Sequence, residues 1–421
     1  MIFLHIVFIV GSYYPNYSAV GKCAGNVAEE LSKYHKITVI CSKNHLNQNE
    51  EEIYNSQRII RIMTKEKKTR FKLEDNIQNT IGFKRRVNEF RYKLYKVSRI
   101  LKTIISKTSI KKELVQSYLE ALNNINEPVD AIIPVSMPFE SVVAAVQYKT
   151  TYNKKVRVIP YLFDQFVDNE NLHRFKFNKD LKKKGHIELE NNAIKKADAI
   201  LILKQLKNYY LEQHKNHMEK VYVVEHPLLR KPNTSSDSFQ NKMLFIYAGS
   251  FYKTIRNPEY MLNLFNNALD NLDGTLSLYS FGNCNEIINK YTSKNKRIIN
   301  YGKVPTEKVY EELYKNNFLV AVGNNDNKQV PSKIFEYLSY GKPIIYFYSN
   351  SQDINLDVLK KYNLAFCIDQ RNSCIESNLS ELIRFCKDNV NEQLIFEEVA
   401  EIFKDATPEY TVDIIESIIM G

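Results

Sequence analysis

Residues 329–345 read QVPSKIFEYLSYGKPII, a pattern that predicts a helix between two buried strands. Apolar runs flank the segment, with FLVAVG at 318–323 before it and PIIYF at 343–347 at its end. Short, continuous apolar runs of this kind are typical of buried parallel strands. Proline suits the first turn of a helix and glycine suits its left-handed end, so the pattern predicts a helix over 331–340.

The charges of this predicted helix follow an order that suits a nucleoside diphosphate. In an open parallel sheet, ligands bind at the carboxyl ends of the strands, where helix N-termini offer free N–H groups and positive partial charge. A phosphate would be stabilised there, Lys333 would add a full charge, and Glu336 would lie roughly 6 Å beyond Ser332, within reach of a ribose diol. On charge alone, the alternative is the solvated face of an amphipathic helix.

A second motif precedes the first, in the segment FIYAGSFYKTIRNP at 245–258. It predicts a strand that ends at Gly249 and Ser250, then a loop with Lys253 and Arg256, and then the start of a helix. Two cations just past a strand's carboxyl end can neutralise a diphosphate leaving group, and arginine can bind it bidentately. Ordinary loop solvation is the alternative for either cation taken alone.

These two motifs resemble the donor-binding half of the family 4 glycosyltransferases of GT-B fold, of the bacterial surface-polysaccharide type. In that family a proline, a lysine and a glutamate precede a glycine-lysine-proline turn, as at 331–343 here. The resemblance implies an α/β protein with two doubly wound Rossmann-like domains that face each other across a cleft. It is weak before Val129 and strong after Met243.

The resemblance also implies which residues bind the donor: Gly249, Ser250, Lys253, Arg256, Asn325, Gln329, Pro331, Ser332, Lys333 and Glu336. Lys253 and Arg256 would act in catalysis too, by stabilising the departing diphosphate. The family's usual first glutamate falls on Lys328, so a nearby amide such as Asn324, Asn325 or Gln329 would contact the transferred sugar instead. The family further implies retention of anomeric configuration, with no metal and no cofactor.

The first half of the chain carries the predicted acceptor side. The loop at 11–21 follows the first strand and contains no GxGxxG, which argues against a dinucleotide fingerprint. It resembles the family's acceptor loop, and the residues assigned to the acceptor side are Gly11, Tyr14, Pro15 and Gly21, with simple turn residues as the alternative. Asp164 follows another predicted strand end and is the candidate general base.

A chain of 421 residues exceeds what one core usually supports, so two domains are expected. The predicted organisation is an acceptor-side domain at 1–229 with a basic helical excursion at 64–128, a linker at 230–241, a nucleotide-sugar domain at 242–404 and a last helix at 405–421. In the family such a helix crosses back to the first domain, although it could equally cap its own. Alternating helices and strands predict parallel βαβ units, with strands at 2–10, 36–41, 58–63, 131–135, 156–163, 199–203 and 221–224, and near 243, 275, 297, 318, 343 and 364.

Composition bears on the compartment and on metal binding. The six cysteines and eight histidines show no metal-ligand spacing, so no structural metal is predicted. The first ten residues are apolar but carry no basic leader or cleavage site and are too short to span a bilayer, so they predict a strand. Most of the cysteines lie in or beside apolar runs, as buried free thiols do, so a reducing cytoplasm is the expected location.

The net charge of +11 is concentrated in residues 58–112, where seven arginines and eleven lysines face four carboxylates. Residues 84–112 interleave these cations with apolar side chains at helical spacing, which favours peripheral contact with the anionic inner face of the cell membrane or with a phosphate-bearing lipid acceptor. A solvated helical excursion is the alternative. Nucleic acid is not expected, because no binding motif is recognisable.

The sequence therefore predicts a hexosyltransferase-type enzyme that moves a sugar from a nucleoside-diphosphate donor, with UDP the favoured carrier, to a lipid-linked saccharide or surface polymer. A sugar-nucleotide 2-epimerase is one rival, since it shares the two-domain architecture. A non-catalytic GT-B subunit that binds glycans or a sister enzyme is the other, and Lys328 is its best support.

Overall fold

The computed structural model describes residues 3–169, 172, 176–232, 242–325, 332–372 and 374–421. The chain divides into two compact units. The first unit combines Met1–Pro227 with Pro408–Gly421, and the second unit is Leu228–Thr407. Strands and helices alternate through both units, so the predicted α/β class is confirmed.

The first unit is built on a largely parallel sheet. Its strands β1 to β9 are His5–Ile9, Lys36–Ser42, Glu51–Tyr54, Gln57–Ile62, Ala131–Ser136, Arg157–Val158, Tyr161–Leu162, Ile200–Leu203 and Val221–Val224. Its helices α1 to α7 are Ala19–Leu31, Lys65–Gln78, Gly82–Ile105, Lys112–Asn123, Glu140–Thr151, Lys176–Lys196 and Lys207–Gln213. The order of the described strands is β3-β4-β2-β1-β5-β7-β8-β9, with β6 paired to β5.

Two features of this sheet depart from the sequence prediction. The single strand predicted at 156–163 is two short strands, because Pro160 between them lacks an N–H for the ladder. No strand is predicted at β3, whose sequence EEIY is charged and partly exposed. This edge strand pairs antiparallel with β4, so the predicted run of parallel units is broken there.

The second unit contains a sheet that is parallel throughout its described strands. Strands β10 to β15 are Met243–Phe251, Gly274–Gly282, Ile298–Asn300, Phe318–Val322, Ile344–Tyr348 and Ala365–Asp369. Helices α8 to α14 are Glu259–Leu272, Asn285–Lys294, Thr306–Lys315, Lys333–Leu338, Ile354–Leu359, Ile375–Asn389 and Phe396–Ile402. The order β12-β11-β10-β13-β14-β15 is doubly wound. The strand order, though not the strand direction, reverses between β10 and β13, and such sheets bind their ligands at this point.

Helix α11 is shorter than predicted, since it spans Lys333–Leu338 rather than 331–340. Ser332 stands at its N-cap without a side-chain capping bond. Pro331, which was expected to begin the helix, lies outside the described residues. The predicted left-handed end is confirmed, because Gly341 has a φ of 64°.

Gly341 provides a stability test. An added Cβ would lie 2.0 Å from the Leu394 carbonyl oxygen, so Gly341→Ala combines a left-handed alanine with a backbone clash and should cost about 3 kcal/mol of unfolding free energy. Gly302 is a matched control, since it has a φ of 68° but nothing within 4 Å of an added Cβ. Gly302→Ala should therefore cost only about 1 kcal/mol. Urea unfolding measures both values, and equal losses would contradict the clash.

The last helix, α15, spans Pro408–Met420 and belongs to the first unit. It packs against α1 and buries Val412, Ile415 and Ile418. The His35 Nε2 atom lies 2.9 Å from Glu416 Oε1, with the histidine side chain fully buried. Apolar packing and this polar contact together fix the helix within its unit.

All six cysteines are free thiols, and Cys23, Cys41, Cys284 and Cys386 are buried. Burial raises the pKa of Cys41 to about 12, which leaves it an inert thiol. Among the helices in the described ranges, none has both the length and the apolar character needed to cross a bilayer.

Candidate functional site

The candidate donor site of the second unit lies at the carboxyl ends of β10 and β13. These strands are parallel neighbours, with Tyr247 opposite Val320. The loop after β10 is tied to the residues after β13, because the Asn325 amide N–H donates to the Ile255 carbonyl at 2.8 Å and its side-chain amide donates to the Thr254 carbonyl at 3.2 Å. These two bonds hold Asn325 against the loop that follows β10.

Arg256 is the central cation of this loop. Its Nη2 donates to Asn324 Oδ1 at 2.8 Å and its Nη1 lies 3.5 Å from the Ser250 carbonyl oxygen. The nearby guanidinium partly offsets the effect of burial, which raises the pKa of Tyr247 to about 12. Within the described residues, the Nε atom of Arg256 is buried without a hydrogen-bond partner. The side chain is therefore anchored at the strand end while keeping unused donor capacity.

Lys253 lies in the same loop but is more exposed. Its backbone N–H donates to Asn283 Oδ1 at 3.0 Å, and its Nζ lies 3.2 Å from Glu286 Oε2. The Glu286 side chain is 89% exposed. An ion pair so open to water is worth little, so the lysine can exchange this partner at small cost.

The first turn of α11 packs onto the end of β10. Lys333 Nζ donates to the Ala248 carbonyl at 2.5 Å, and the Tyr337 hydroxyl contacts the backbone of the same residue. This contact brings Lys333 next to Gly249 and Ser250, as the sequence predicts for a donor site. An added Cβ at Gly249 would already lie 3.0 Å from the Tyr247 hydroxyl, so the glycine also serves local packing.

Glu336 is half-buried in α11, three residues after Lys333. That spacing places the two side chains on the same face of the helix. The negative charge of Glu336 contributes to the raised pKa of Tyr337 and Tyr340, for which burial is the larger cause. The structure therefore anchors two cations, Lys333 and Arg256, at one strand end, with Glu336 on the same helix face as Lys333.

Two predicted donor residues, Gln329 and Pro331, lie outside the described residues, as does Lys328. Ser332, the residue before α11, is described and is partly exposed.

A polar network that was not predicted from the sequence lies beside the site. The Tyr346 hydroxyl donates to Asp353 Oδ2 at 2.5 Å and accepts from Asn355 Nδ2 at 3.1 Å. Burial raises the pKa of Asp353, and the charge of Arg256 acts in the opposite direction. Gly323 at the end of β13 leaves room for this network, because an added Cβ would lie 2.5 Å from Asp353 Oδ2. Tyr346, a buried tyrosine in the strand IIYFY, was the available signal.

A separate cluster lies in the first unit, past the ends of β7 and β9. Burial raises the pKa of Asp164, and His226 acts in the opposite direction. His226 Nδ1 lies 2.8 Å from Glu225 Oε1. A raised pKa suits a carboxylate that accepts a proton near neutral pH. Only Asp164 is predicted from the sequence, although the Glu225–His226 pair directly after β9 was a usable signal.

The predicted acceptor loop is shaped mainly by contacts of the chain with itself. An added Cβ would lie 2.7 Å from Pro138 Cδ at Gly11 and 2.1 Å from the Ser12 carbonyl oxygen at Gly21. The ring of Tyr14, which precedes Pro15 through a cis bond, stacks on Tyr54 with centroids 3.5 Å apart. Gly11 and Gly21 are thus required by close contacts within the protein. These contacts do not test whether the loop binds an acceptor.

In the described ranges, no group of three or more histidine, cysteine, aspartate or glutamate side chains is arranged to hold a metal ion. The charged side chains described at the candidate donor site are Lys253, Arg256, Lys333 and Glu336.

No protein-family model matches the chain, and a comparison with curated proteins finds no match. Solved structures match over nearly its whole length. Sucrose-phosphate synthase from Thermosynechococcus elongatus is 11% identical, with 99% of each chain covered and a TM-score of 0.59. The lipopolysaccharide outer core galactosyltransferase WaaB, in its apo form, is 15% identical, with 99% of each chain covered and a TM-score of 0.54.

A third similar structure, from Listeria monocytogenes, is described as a UDP-N-acetylglucosamine 2-epimerase. It is 12% identical, with 100% of this chain and 96% of that chain covered and a TM-score of 0.55. Identities this low establish the fold alone. The fold is GT-B, with two Rossmann-like halves, as the sequence resemblance implies.

Proposed function

We propose that this protein is a glycosyltransferase that moves a sugar from a nucleoside-diphosphate donor, preferably a UDP-sugar, to a lipid-linked saccharide or surface polymer. The observation that carries the proposal is that Arg256 and Lys333 both contact backbone carbonyls near the carboxyl end of β10, with Glu336 on the same face of α11 as Lys333. Membership of family 4 and retention of anomeric configuration belong to the same proposal.

The proposed chemistry follows from how the charges are placed. Cleavage of the donor bond leaves negative charge on the diphosphate, and pre-positioned cations stabilise that charge most when they need no reorganisation. Arg256 is anchored by Asn324 and Lys333 by the Ala248 carbonyl. Lys253 would join them from its exposed position, and Glu336 would bind the ribose diol. These side chains would replace a divalent ion, so activity should need no metal.

Names of similar structures support the donor class. One is a galactosyltransferase, one makes sucrose phosphate, and one is described as acting on a UDP-sugar. The acceptor would be bound by the first unit, where Asp164 is the candidate general base and Gly11, Tyr14, Pro15 and Gly21 form the candidate acceptor loop.

A cytoplasmic location at the inner face of the membrane is part of the proposal. The support is α3, which exposes a row of apolar side chains among its lysines and arginines. The exposed fractions are 60% for Phe90, 54% for Leu94, 52% for Val97 and 53% for Leu101. Amphipathic basic helices of this kind bind anionic bilayers at their surface.

The test is a donor panel of UDP-, GDP-, CMP- and ADP-sugars, measured as release of nucleotide with and without EDTA. We expect one nucleoside-diphosphate class to be hydrolysed slowly without acceptor, and EDTA to leave the rate within about twofold, because basic side chains take the place of a metal. A hydrolysis rate that disappears with EDTA would contradict the metal-free mechanism. Hydrolysis of none of the sugars, together with no heat on titration of UDP, GDP or CDP, would favour the non-catalytic subunit.

The epimerase is the second candidate, favoured by the Listeria similarity. An epimerase converts the sugar nucleotide without an acceptor and keeps the nucleotide attached to the product through the overall reaction. Incubation with UDP-N-acetylglucosamine alone, followed by NMR of the sugar, separates the two. A new sugar epimer still linked to UDP would replace our proposal.

A further inference from the structure

The first unit contains a cavity of about 420 Å³ that the donor site does not use. It is lined by residues of α2, of the C-terminal half of α3 and of the start of α4, together with Ser42 and Thr64, which end or follow β2 and β4. It therefore lies at the carboxyl edge of a parallel sheet, where α/β proteins bind ligands. Its volume is within the range of small-molecule sites.

The cavity is strongly basic. Six cations line it, against the two carboxylates of Glu66 and Glu113: Lys67, Arg70, Arg99, Lys102, Lys111 and Lys112. Glu66 Oε1 lies 2.7 Å from Arg99 and 3.1 Å from Lys111. Glu113 accepts the backbone N–H of Lys65. The carboxylates are thus engaged in holding the walls together, and the net charge of the lining is positive.

Lys67 and Lys102 have no carboxylate partner within the described residues. Lys67 is half-buried, and its pKa is lowered by burial, with Arg70 and Lys111 acting in the same direction. Ser109 adds a buried hydroxyl that has no hydrogen-bond partner in the described part of the chain. A half-buried ammonium among other cations is unfavourable until an anion reaches it.

Two helix N-termini add to this positive potential. The cavity is lined by the first turn of α2, with Thr64 as its capping residue, and by the first turn of α4. The Lys65 and Lys67 N–H groups of α2 already donate to Glu113 and Thr64, so α2 contributes mainly its partial positive charge. The partial positive charge at both helix ends favours phosphate. Side-chain cations and helix ends therefore select the same ligand chemistry.

We propose that this cavity binds the phosphoryl group of the acceptor, as a phosphate or diphosphate carried by a lipid. The assignment of the ligand as an acceptor rests on the proposed function, whereas phosphate binding itself does not. The apolar side chains Leu94, Val97 and Leu101 lie on another side of the same helix, since the cavity is lined by Tyr95, Arg99 and Lys102. If α3 rests on a bilayer through its apolar side chains, the side chains that line the cavity lie above the acyl chains, at the level of a phosphate that links lipid to sugar.

The test compares three full-length proteins by titration calorimetry. One is the unsubstituted protein, one is the cavity variant Lys67→Met with Lys102→Met, and one is the control Lys84→Met with Lys93→Met. The control removes the same charge from exposed positions of α3 outside the cavity. The probes are inorganic pyrophosphate and dihexanoyl phosphatidic acid below its micelle concentration. Circular dichroism checks that α2 and α3 stay folded.

We expect the cavity variant to bind both probes at least tenfold more weakly than the unsubstituted protein, and the control to stay within about twofold, because only the first change removes charges that face the cavity. Pyrophosphate bound at the donor site would appear as a separate component that is equal in all three titrations, so the tenfold comparison applies to the component assigned to the cavity. Tighter binding of the lipid than of pyrophosphate assigns the phosphate to a lipid, and equal binding assigns it to a soluble phosphate.

Equal losses in the two variants, or no binding by the unsubstituted protein, would overturn the proposal, since diffuse surface charge would then explain the basic region. Titration with UDP on the same proteins separates this result from the proposed function. UDP binding should be unchanged by both double substitutions, and its absence from all three would overturn the donor assignment while leaving the cavity result in place.

Discussion

Glu336→Ala is expected to weaken nucleoside-diphosphate binding by about 100-fold. A carboxylate that accepts two hydrogen bonds from a ribose diol contributes about 3 kcal/mol when each bond to the charged group is worth about 1.5 kcal/mol. The bond is made equally in the bound donor and in the transition state, so the loss should raise KM more than it lowers kcat. Calorimetry with UDP and steady-state kinetics with the matching sugar nucleotide measure the two effects.

The ribose assignment can be tested more directly with 2′-deoxy-UDP. The unsubstituted protein should prefer UDP by at least tenfold, whereas Glu336→Ala should bind both nucleotides almost equally, because the group that senses the missing hydroxyl is gone. Glu376→Ala is the control, since Glu376 is an exposed glutamate in the first turn of another helix of the same unit. A Glu336→Ala protein that keeps the preference for UDP would remove the residue from the ribose site.

The sheet of the second unit could be predicted from the sequence because each strand is a short apolar run with its own turn signals. All six predicted positions fall within one residue of an observed strand start. Gly341 could be predicted for the same local reason, since glycine is the residue that takes a left-handed conformation at a helix end. Structure within a single turn or strand can be predicted because it depends mainly on residues that are neighbours in the sequence.

The contacts that build the site could not be predicted in this way. Lys333 reaches the Ala248 carbonyl across 85 positions of sequence, and Arg256 reaches Asn324 across 68. Such pairs depend on the order of strands in the sheet, which apolar periodicity leaves open. The sequence could place both cations at strand ends, but not their anchors or the Tyr346–Asp353 pair beneath them.

The loop at 11–21, predicted to face the acceptor, shows the opposite limitation. Gly11 and Gly21 resemble ligand-facing glycines in sequence, yet each is required by a close approach of the chain to itself. A glycine in the sequence indicates that other atoms approach the backbone closely at that position. It does not indicate whether those atoms belong to a ligand or to the protein itself. Only the packed structure distinguishes the two.

Arg256→Lys should lower kcat by about 10²- to 10³-fold, which corresponds to about 2.7–4 kcal/mol of lost transition-state stabilisation. The guanidinium contacts Asn324 and the Ser250 carbonyl while keeping further donors for the diphosphate. Lysine donates all of its hydrogen bonds from one nitrogen at the end of a flexible side chain. It therefore cannot bond to Asn324 and the Ser250 carbonyl and to the leaving group at the same time. Single-turnover rates with the preferred sugar nucleotide measure the loss at the chemical step.

Lys253→Met provides the comparison that makes this prediction specific. Lys253 carries the same charge in the same loop, but its Nζ is paired with the exposed Glu286 and has no second anchor in the described structure. A mobile, solvated cation stabilises a transition state less than a fixed one, because its reorganisation costs part of the gain. We therefore expect Lys253→Met to lower kcat by about tenfold or less. Equal losses from the two substitutions would mean that net positive charge, rather than the anchored geometry of Arg256, drives departure of the diphosphate.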